Sequence, residues 1–218
     1  MAHLLHIDSS PRGVGEVSAK HSRSHSRRMT REFVEAWQHT HPHDTVTYRD
    51  VSRQPVPHVD EPWIVAAYTP EEQRTPELRE ALRVSDRLID ELIAADTLVV
   101  GVPMYNFSVP STFKAYIDQI VRTGRTFAID PEDAEDPYKP LLHGKKMFVI
   151  TARGASGFGP GERYGHMNHQ DPYLRVAFGF IGITDITFVH VENDEHSSES
   201  LAASIAAAQA QVAELVAA

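Results

Sequence analysis

Met104, Tyr105, Asn106 and Phe107 stand together in the segment Pro103-Met104-Tyr105-Asn106-Phe107-Ser108-Val109-Pro110-Ser111. The thioether and the two rings offer flat or polarisable apolar surface, while the Asn106 amide and the backbone N–H groups are directed donors. A planar heterocycle with polar edges suits that combination. A second group consists of Ser9-Ser10-Pro11-Arg12-Gly13 and Ser22-Arg23-Ser24-His25-Ser26-Arg27. Hydroxyls at the start of a helix, beside unpaired N–H groups and the positive end of its dipole, can bind a phosphate dianion. Helix capping alone would also account for Ser24 and Ser26. A third segment, Thr151-Ala152-Arg153-Gly154-Ala155-Ser156-Gly157, offers backbone N–H groups, and its Arg153 could pair with a surface carboxylate.

These segments need a scaffold that brings them together. Short β-branched or aliphatic runs at Leu4–Ile7, Thr45–Tyr48, Leu98–Val102, Met147–Thr151 and Ile186–Val191 predict strands. Between them lie helical patterns. Met29, Phe33, Ala36 and Trp37 form one stripe, and Phe113, Ile117, Ile120 and Val121 recur at helical spacing after the Met104 loop. Thr75-Pro76-Glu77 reads as a capping residue with proline at the first helical position, opening a helix with Leu78, Leu82, Ser85, Leu88 or Ile89, and Leu92 inward. Leu201, Ile205, Ala208, Val212 and Leu215 mark a C-terminal helix. Strands alternating with helices predict a doubly wound five-stranded parallel sheet in a three-layer α/β/α arrangement, one domain over residues 1–218. Each candidate segment follows a strand, and ligands bind at the carboxyl ends of such strands. The stretch from Arg53 to Pro62, with three prolines, predicts extended or turning chain, and acidic Asp130–Pro137 a solvated loop or a rim of the site.

The Met104–Phe107 loop followed by a helix resembles the flavin-ring segment of the FMN-dependent NADH-azoreductases, also described as NADH:quinone oxidoreductases, of the flavodoxin-like fold. Ser9-Ser10, Gly144-Lys145-Lys146, Thr126-Phe127, Pro172-Tyr173-Leu174 and Gly179–Asp185 extend the likeness over nearly the whole chain. The resemblance implies FMN as bound cofactor and NADH as co-substrate, with quinones and azo compounds as acceptors. It places Ser10, Ser24, His25 and Ser26 at the FMN phosphate, and Met104, Tyr105, Asn106 and Phe107 at the ring. It makes Ala152, Arg153, Gly154 and Ala155 the second ring-edge loop, where Ala152 and Ala155 replace the family's serine and glycine. It also implies a homodimer with the site at the interface, Tyr105 and Phe127 walling the substrate pocket and Phe127 lent by the other chain. No side chain is assigned a catalytic role, because the cofactor carries the chemistry. The interval from Ser10 to Ser24 is longer than is usual in the family, so the loop Gly13–Arg23 is an unexplained feature that could alter access. The alternative reading is a flavodoxin-like electron carrier, or a flavin-binding module without two-substrate turnover.

Composition and motifs narrow the field further. The net charge of −9 argues against nucleic-acid binding, and the absence of cysteine excludes thiolate metal sites and cysteine nucleophiles. No signal-like or membrane-spanning run stands out, so the expectation is a cytoplasmic protein away from membranes. Thirteen histidines do not form a recognised ligand motif, so no metal is expected. Gly154-Ala155-Ser156-Gly157-Phe158 fails the nucleophile-elbow pattern at its last position, and Gly157–Gly161 fails as a dinucleotide fingerprint. Arg12, Arg23 and Arg27 near the phosphate segment leave use of NADPH open.

Overall fold

In a computed structural model, which describes residues 1–13 and 23–217, the chain winds helices around one parallel sheet. Most of the Gly13–Arg23 loop, residues 14–22, lies outside the described residues. The strands β1 (His3–Asp8), β2 (Thr45–Asp50), β3 (Thr97–Pro103), β6 (Lys146–Ala152) and β7 (Asp185–Val191) stand in the order β2-β1-β3-β6-β7, every neighbouring pair parallel. That is the doubly wound order that reverses direction after β1, which opens a crevice between β1 and β3 at the carboxyl edge. β3 is buried at every position, as a central strand covered on both faces must be.

The helices are α1 (His25–Thr40), α2 (Glu61–Tyr68), α3 (Pro76–Ala94), α4 (Ser111–Ile120), α5 (Asp171–Phe180) and α6 (Ser198–Ala217). One core layer places Leu88, Ile89, Phe113, Ile117 and Phe178 against Leu98, Val100 and Val149. The other packs Met29 and Phe33 of α1 and Ala208, Val212 and Val216 of α6 onto Val99, Ile150 and Val189. Thr75 caps α3 as its sequence predicts, its hydroxyl accepting from the Leu78 N–H. By length and mean hydropathy α6 passes the test for a membrane-spanning helix, contrary to the expectation from the chain's apolar runs. Alanine supplies much of that hydropathy, and the Ala208–Val212–Val216 stripe packs on α1 and β7.

Two elements differ from the sequence expectation. α2 begins at Glu61, inside the stretch read as irregular, with the Asp60 carboxylate accepting from the Trp63 N–H and Pro62 in the first turn. Proline there is compatible with a helix because the first-turn N–H groups lack intrahelical partners anyway. The acidic segment connects β4 (Phe127–Ile129) to β5 (Tyr138–Pro140), a small antiparallel hairpin.

Candidate active site

At the carboxyl edge a cleft of about 440 Å3, counted to its open mouth, is lined at one end by Ser10, Ser24, His25 and Ser26 and at the other by Met104, Tyr105, Ala152 and Gly154. Ser24 is the cap of α1, with extended backbone and its Oγ accepting from the Arg27 N–H at 3.3 Å. The first-turn N–H groups of His25 and Ser26 have no partner within the helix, and the Ser24 and Ser26 hydroxyls lie 3.3 Å apart. Ser10 and Ser26 are buried beside them.

Arg27, one position further, turns away from the cleft and is buried. Its Nη1 and Nη2 reach the two Asp50 oxygens at 2.7 and 2.8 Å. It also donates from Nε to the Ser10 carbonyl at 2.8 Å, and to Ser52 Oγ at 2.7 Å and Tyr48 Oη at 2.9 Å. Burial pushes the Asp50 carboxyl up, but hydrogen bonds from Arg27 and Ser52 outweigh it and hold the group at about 2. Thus Arg27 ties the loop after β1 to β2, and its charge is spent on Asp50 and Asp8. It is not available to a 2′-phosphate. Gly101 on β3 permits this packing, since a Cβ there would lie 2.5 Å from Asp8 Oδ1.

The ring end is built from backbone. Met104 N–H donates to the Ala152 carbonyl at 2.8 Å, and Tyr105 and Ser108 exchange hydrogen bonds in a tight turn. Asn106 and Phe107 complete that turn at φ 48° and 69°, a left-handed conformation costly for a phenylalanine. Their N–H groups, and those of Gly154 and Ala155, have no acceptor among the described residues. These donors, open to solvent or half-buried, are free to serve an external acceptor. Asn106, Phe107 and Ala155 extend these walls beyond the cleft lining, Asn106 and Phe107 being exposed. His169 N–H holds the turn by donating to the Phe107 carbonyl, and Gln170 Nε2 holds the strand beneath it through Val102 O, both at 3.0 Å.

Other expected site residues occupy different positions. Arg153 is buried, with Nη2 2.5 Å from Asp171 Oδ1 and its guanidinium over the Phe158 ring. Its backbone N–H and carbonyl are taken by Val191 and Asp194, so it buttresses the ring-edge loop from behind. The pairing with a carboxylate is present, but buried rather than at the surface. Phe127 is also buried, packed against Phe180 at 4.9 Å and Tyr138 at 6.2 Å. There it packs the hairpin against α5. The exposed apolar side chains of the hairpin are Ile129 and Tyr138. Arg12, placed near the phosphate segment by the sequence, does line the cleft, whereas sequence reasoning missed Asp194; Arg12 Nη1 lies 3.2 Å and His25 Nε2 3.1 Å from the Asp194 carboxylate. The hydrogen bond from His25, reinforced by charge, holds Asp194 below the ordinary carboxylate range despite partial burial.

The family follows from comparison. Residues 2–216 match the model of the Flavodoxin_2 family, described as having a flavodoxin-like fold, and the chain belongs to that family. It is 52% identical over 218 residues to the FMN-dependent NADH:quinone oxidoreductase of a Nostoc species, covering 100% of this chain and 99% of that protein. It is 45% identical over 201 residues to FMN-dependent NAD(P)H:quinone oxidoreductase 1 of Pseudomonas aeruginosa, covering 92% of this chain and 91% of the relative. Among solved structures, an azoreductase from Bacillus anthracis superposes with a TM-score of 0.84 at 24% identity, covering 99% of both chains. An FMN-dependent NADH-azoreductase of the same species, in complex with FMN, gives 0.80 at 23% identity, covering 99% of this chain and 100% of that one. At that identity the likeness establishes the fold.

Proposed function

We propose that this chain is an FMN-dependent NADH:quinone oxidoreductase that also reduces azo compounds. The observation that carries the reading is the two-ended cleft: a serine-capped helix N-terminus at one end, two loops with unpaired N–H groups at the other. The full-length similarity to quinone oxidoreductases supports it. Ser10, Ser24, Ser26 and His25 would hold the phosphate of FMN through hydroxyls and first-turn N–H groups. Met104 and Tyr105 would pack against the ring, while the N–H groups of Asn106, Phe107, Gly154 and Ala155 serve its polar edges. FMN bound in this way supplies two-electron hydride chemistry, reduced by a nicotinamide and oxidised by a quinone.

The protein's part is positioning and electrostatics. Preorganised N–H donors on the ring-edge loops stabilise the negative charge that reduction places there, at no reorganisation cost. The left-handed turn at Asn106 and Phe107, held by His169, fixes those donors before any ligand arrives. Tyr105 and Phe127 would be the aromatic walls for a flat acceptor. With one face shared by donor and acceptor, the two must bind in turn. Initial rates with NADH and a benzoquinone should therefore give parallel double-reciprocal lines. Intersecting lines, or no two-substrate turnover with added FMN, would contradict the proposal, the latter favouring an electron carrier.

The reading extends to assembly and location. A homodimer is supported by exposed apolar side chains on α2 (Ile64, Val65 and Tyr68) and on the hairpin (Ile129 and Tyr138), which a partner would cover. Light scattering of the purified protein should give twice the chain mass. A cysteine-free, acidic chain is consistent with the reducing cytoplasm and with the absence of a nucleic-acid partner.

A further inference from the structure

A phosphate site is an unexpected place for a carboxylate, yet Asp194 lines the cleft beside the α1 N-terminus. It lies in the β7–α6 connection, after Asn193 in a left-handed conformation at φ 68°. Two backbone bonds fix it there: Asp194 N–H to the Arg153 carbonyl and Glu195 N–H to the Gly154 carbonyl, both 3.0 Å. Its Oδ1 meets His25 Nε2 at 3.1 Å and its Oδ2 meets Arg12 Nη1 at 3.2 Å. One residue therefore joins the ring-edge loop to the Arg12 guanidinium and the His25 imidazole of the phosphate end.

A carboxylate so placed could compete with a phosphate or prepare the site for one. The donor inventory distinguishes them. A guanidinium carries five N–H donors, and Asp194 takes one of Arg12's; no other acceptor for that side chain is found among the described residues. In its charged form His25 donates from both ring nitrogens; Asp194 takes Nε2, and Nδ1 has no partner among the described residues. The carboxylate orients both side chains and leaves most of their donors unused. Its low proton affinity keeps it charged for that task.

We propose that Asp194 is a positioning residue for the cofactor phosphate, holding His25 and Arg12 at the α1 N-terminus so that their remaining donors serve the dianion. This rests on the FMN reading above. Asp194 touches no reacting atom; it acts through its two neighbours.

Riboflavin lacks the phosphate and shares the ring, so it separates this role from a general structural one. Dissociation constants of FMN and riboflavin are measured on the apoprotein by flavin fluorescence, for the unaltered chain and for Asp194→Asn. The expected result is about a tenfold loss for FMN, with riboflavin changed by less than about twofold. Retained riboflavin binding also shows that the variant folds. In a His25→Gln, Arg12→Gln background the Asp194→Asn loss should largely vanish, since coupled residues are not additive. Equal losses for both flavins, unchanged or tighter FMN binding, or an undiminished loss in that background would overturn the inference while leaving the FMN reading intact. Failure of the unaltered protein to bind either flavin would remove both.

Discussion

Replacing Arg27 with methionine should cost several kcal/mol of stability, about 3–5. Methionine keeps much of the apolar stem, so the loss is chiefly electrostatic. It strands the Asp50 and Asp8 carboxylates, both buried, and unties the Ser10 carbonyl and Ser52 hydroxyl. Removing one partner of a buried ion pair typically costs about 3–5 kcal/mol, against a total stability of about 5–15 kcal/mol. The low Asp50 value gives a second handle. Lowering that carboxyl from 3.8 to about 2 is worth at most about 2 kcal/mol, less after solvent screening. A depressed carboxyl stabilises the fold above its unfolded value, and the contribution is lost as pH falls through the folded one. The unfolded chain cancels from the comparison, so the gap between the two proteins should be widest near neutrality and narrow as pH falls from the variant's Asp50 value, which burial raises once Arg27 is gone, towards about 2. Urea unfolding followed through Trp37 and Trp63 measures this directly. Arg27→Lys should rescue little, because an ammonium cannot reproduce the fork to Asp50 and Ser10. A loss below about 1 kcal/mol at neutral pH, or a gap that does not change with pH, would refute the reasoning.

Further outcomes follow from the same geometry. Gly101→Ala drives a Cβ against Asp8 and Thr30 and should destabilise by about 1–3 kcal/mol, with weaker FMN retention, read by thermal melting and by flavin content after gel filtration. Asn106→Leu places a branched apolar residue in a left-handed turn, so flavin reduction by NADH, followed in a stopped-flow instrument, should slow at least several-fold while the fold persists. His190 is held at about 4 by burial and by the charge of Arg153, with Asp171 opposing. Because its unfolded value is higher, the unfolded chain binds the proton first, and stability should fall as pH drops from about 6.5 to about 4. His190→Gln, which can keep the bond to Thr151, should flatten that part of the stability–pH curve.

The residues that could be read in advance are those whose signals are local. All five sheet strands fall within two residues of their apolar or β-branched runs; the central β3 and β6 are almost continuously apolar because both faces are covered, while the edge strand β2 shows itself by β-branched and aromatic residues. The Met104–Phe107 loop and the serines around the start of α1 stand out by residue type, and the structure brings Met104, Tyr105 and those serines to one cleft, with Asn106 and Phe107 outside its lining. What escaped depends on distance along the chain. Arg12 and Asp194 are separated by 182 positions, and no pattern at either end announces the pair. Arg27 reads as one more cation in a basic stretch; only the placement of β2 beside β1 supplies the carboxylates that turn it inward. The surroundings of Phe127 could not be read in advance, because a three-residue strand is too short to show alternation and the hairpin that packs its ring against Phe180 is invisible in sequence. For α2 the cue existed: Asp60 and Pro62 form the same cap-and-proline signal as Thr75 and Pro76, masked by the prolines before it.

The central claim is that the cleft holds FMN and that its redox chemistry links NADH to a quinone. The most direct test is the visible spectrum of the FMN-reconstituted protein under anaerobic titration. One equivalent of NADH should bleach the oxidised-flavin band, and one equivalent of benzoquinone, added after the nicotinamide is exhausted, should restore it. A protein that takes up no FMN, or whose bound flavin stays oxidised with excess NADH, would contradict the account.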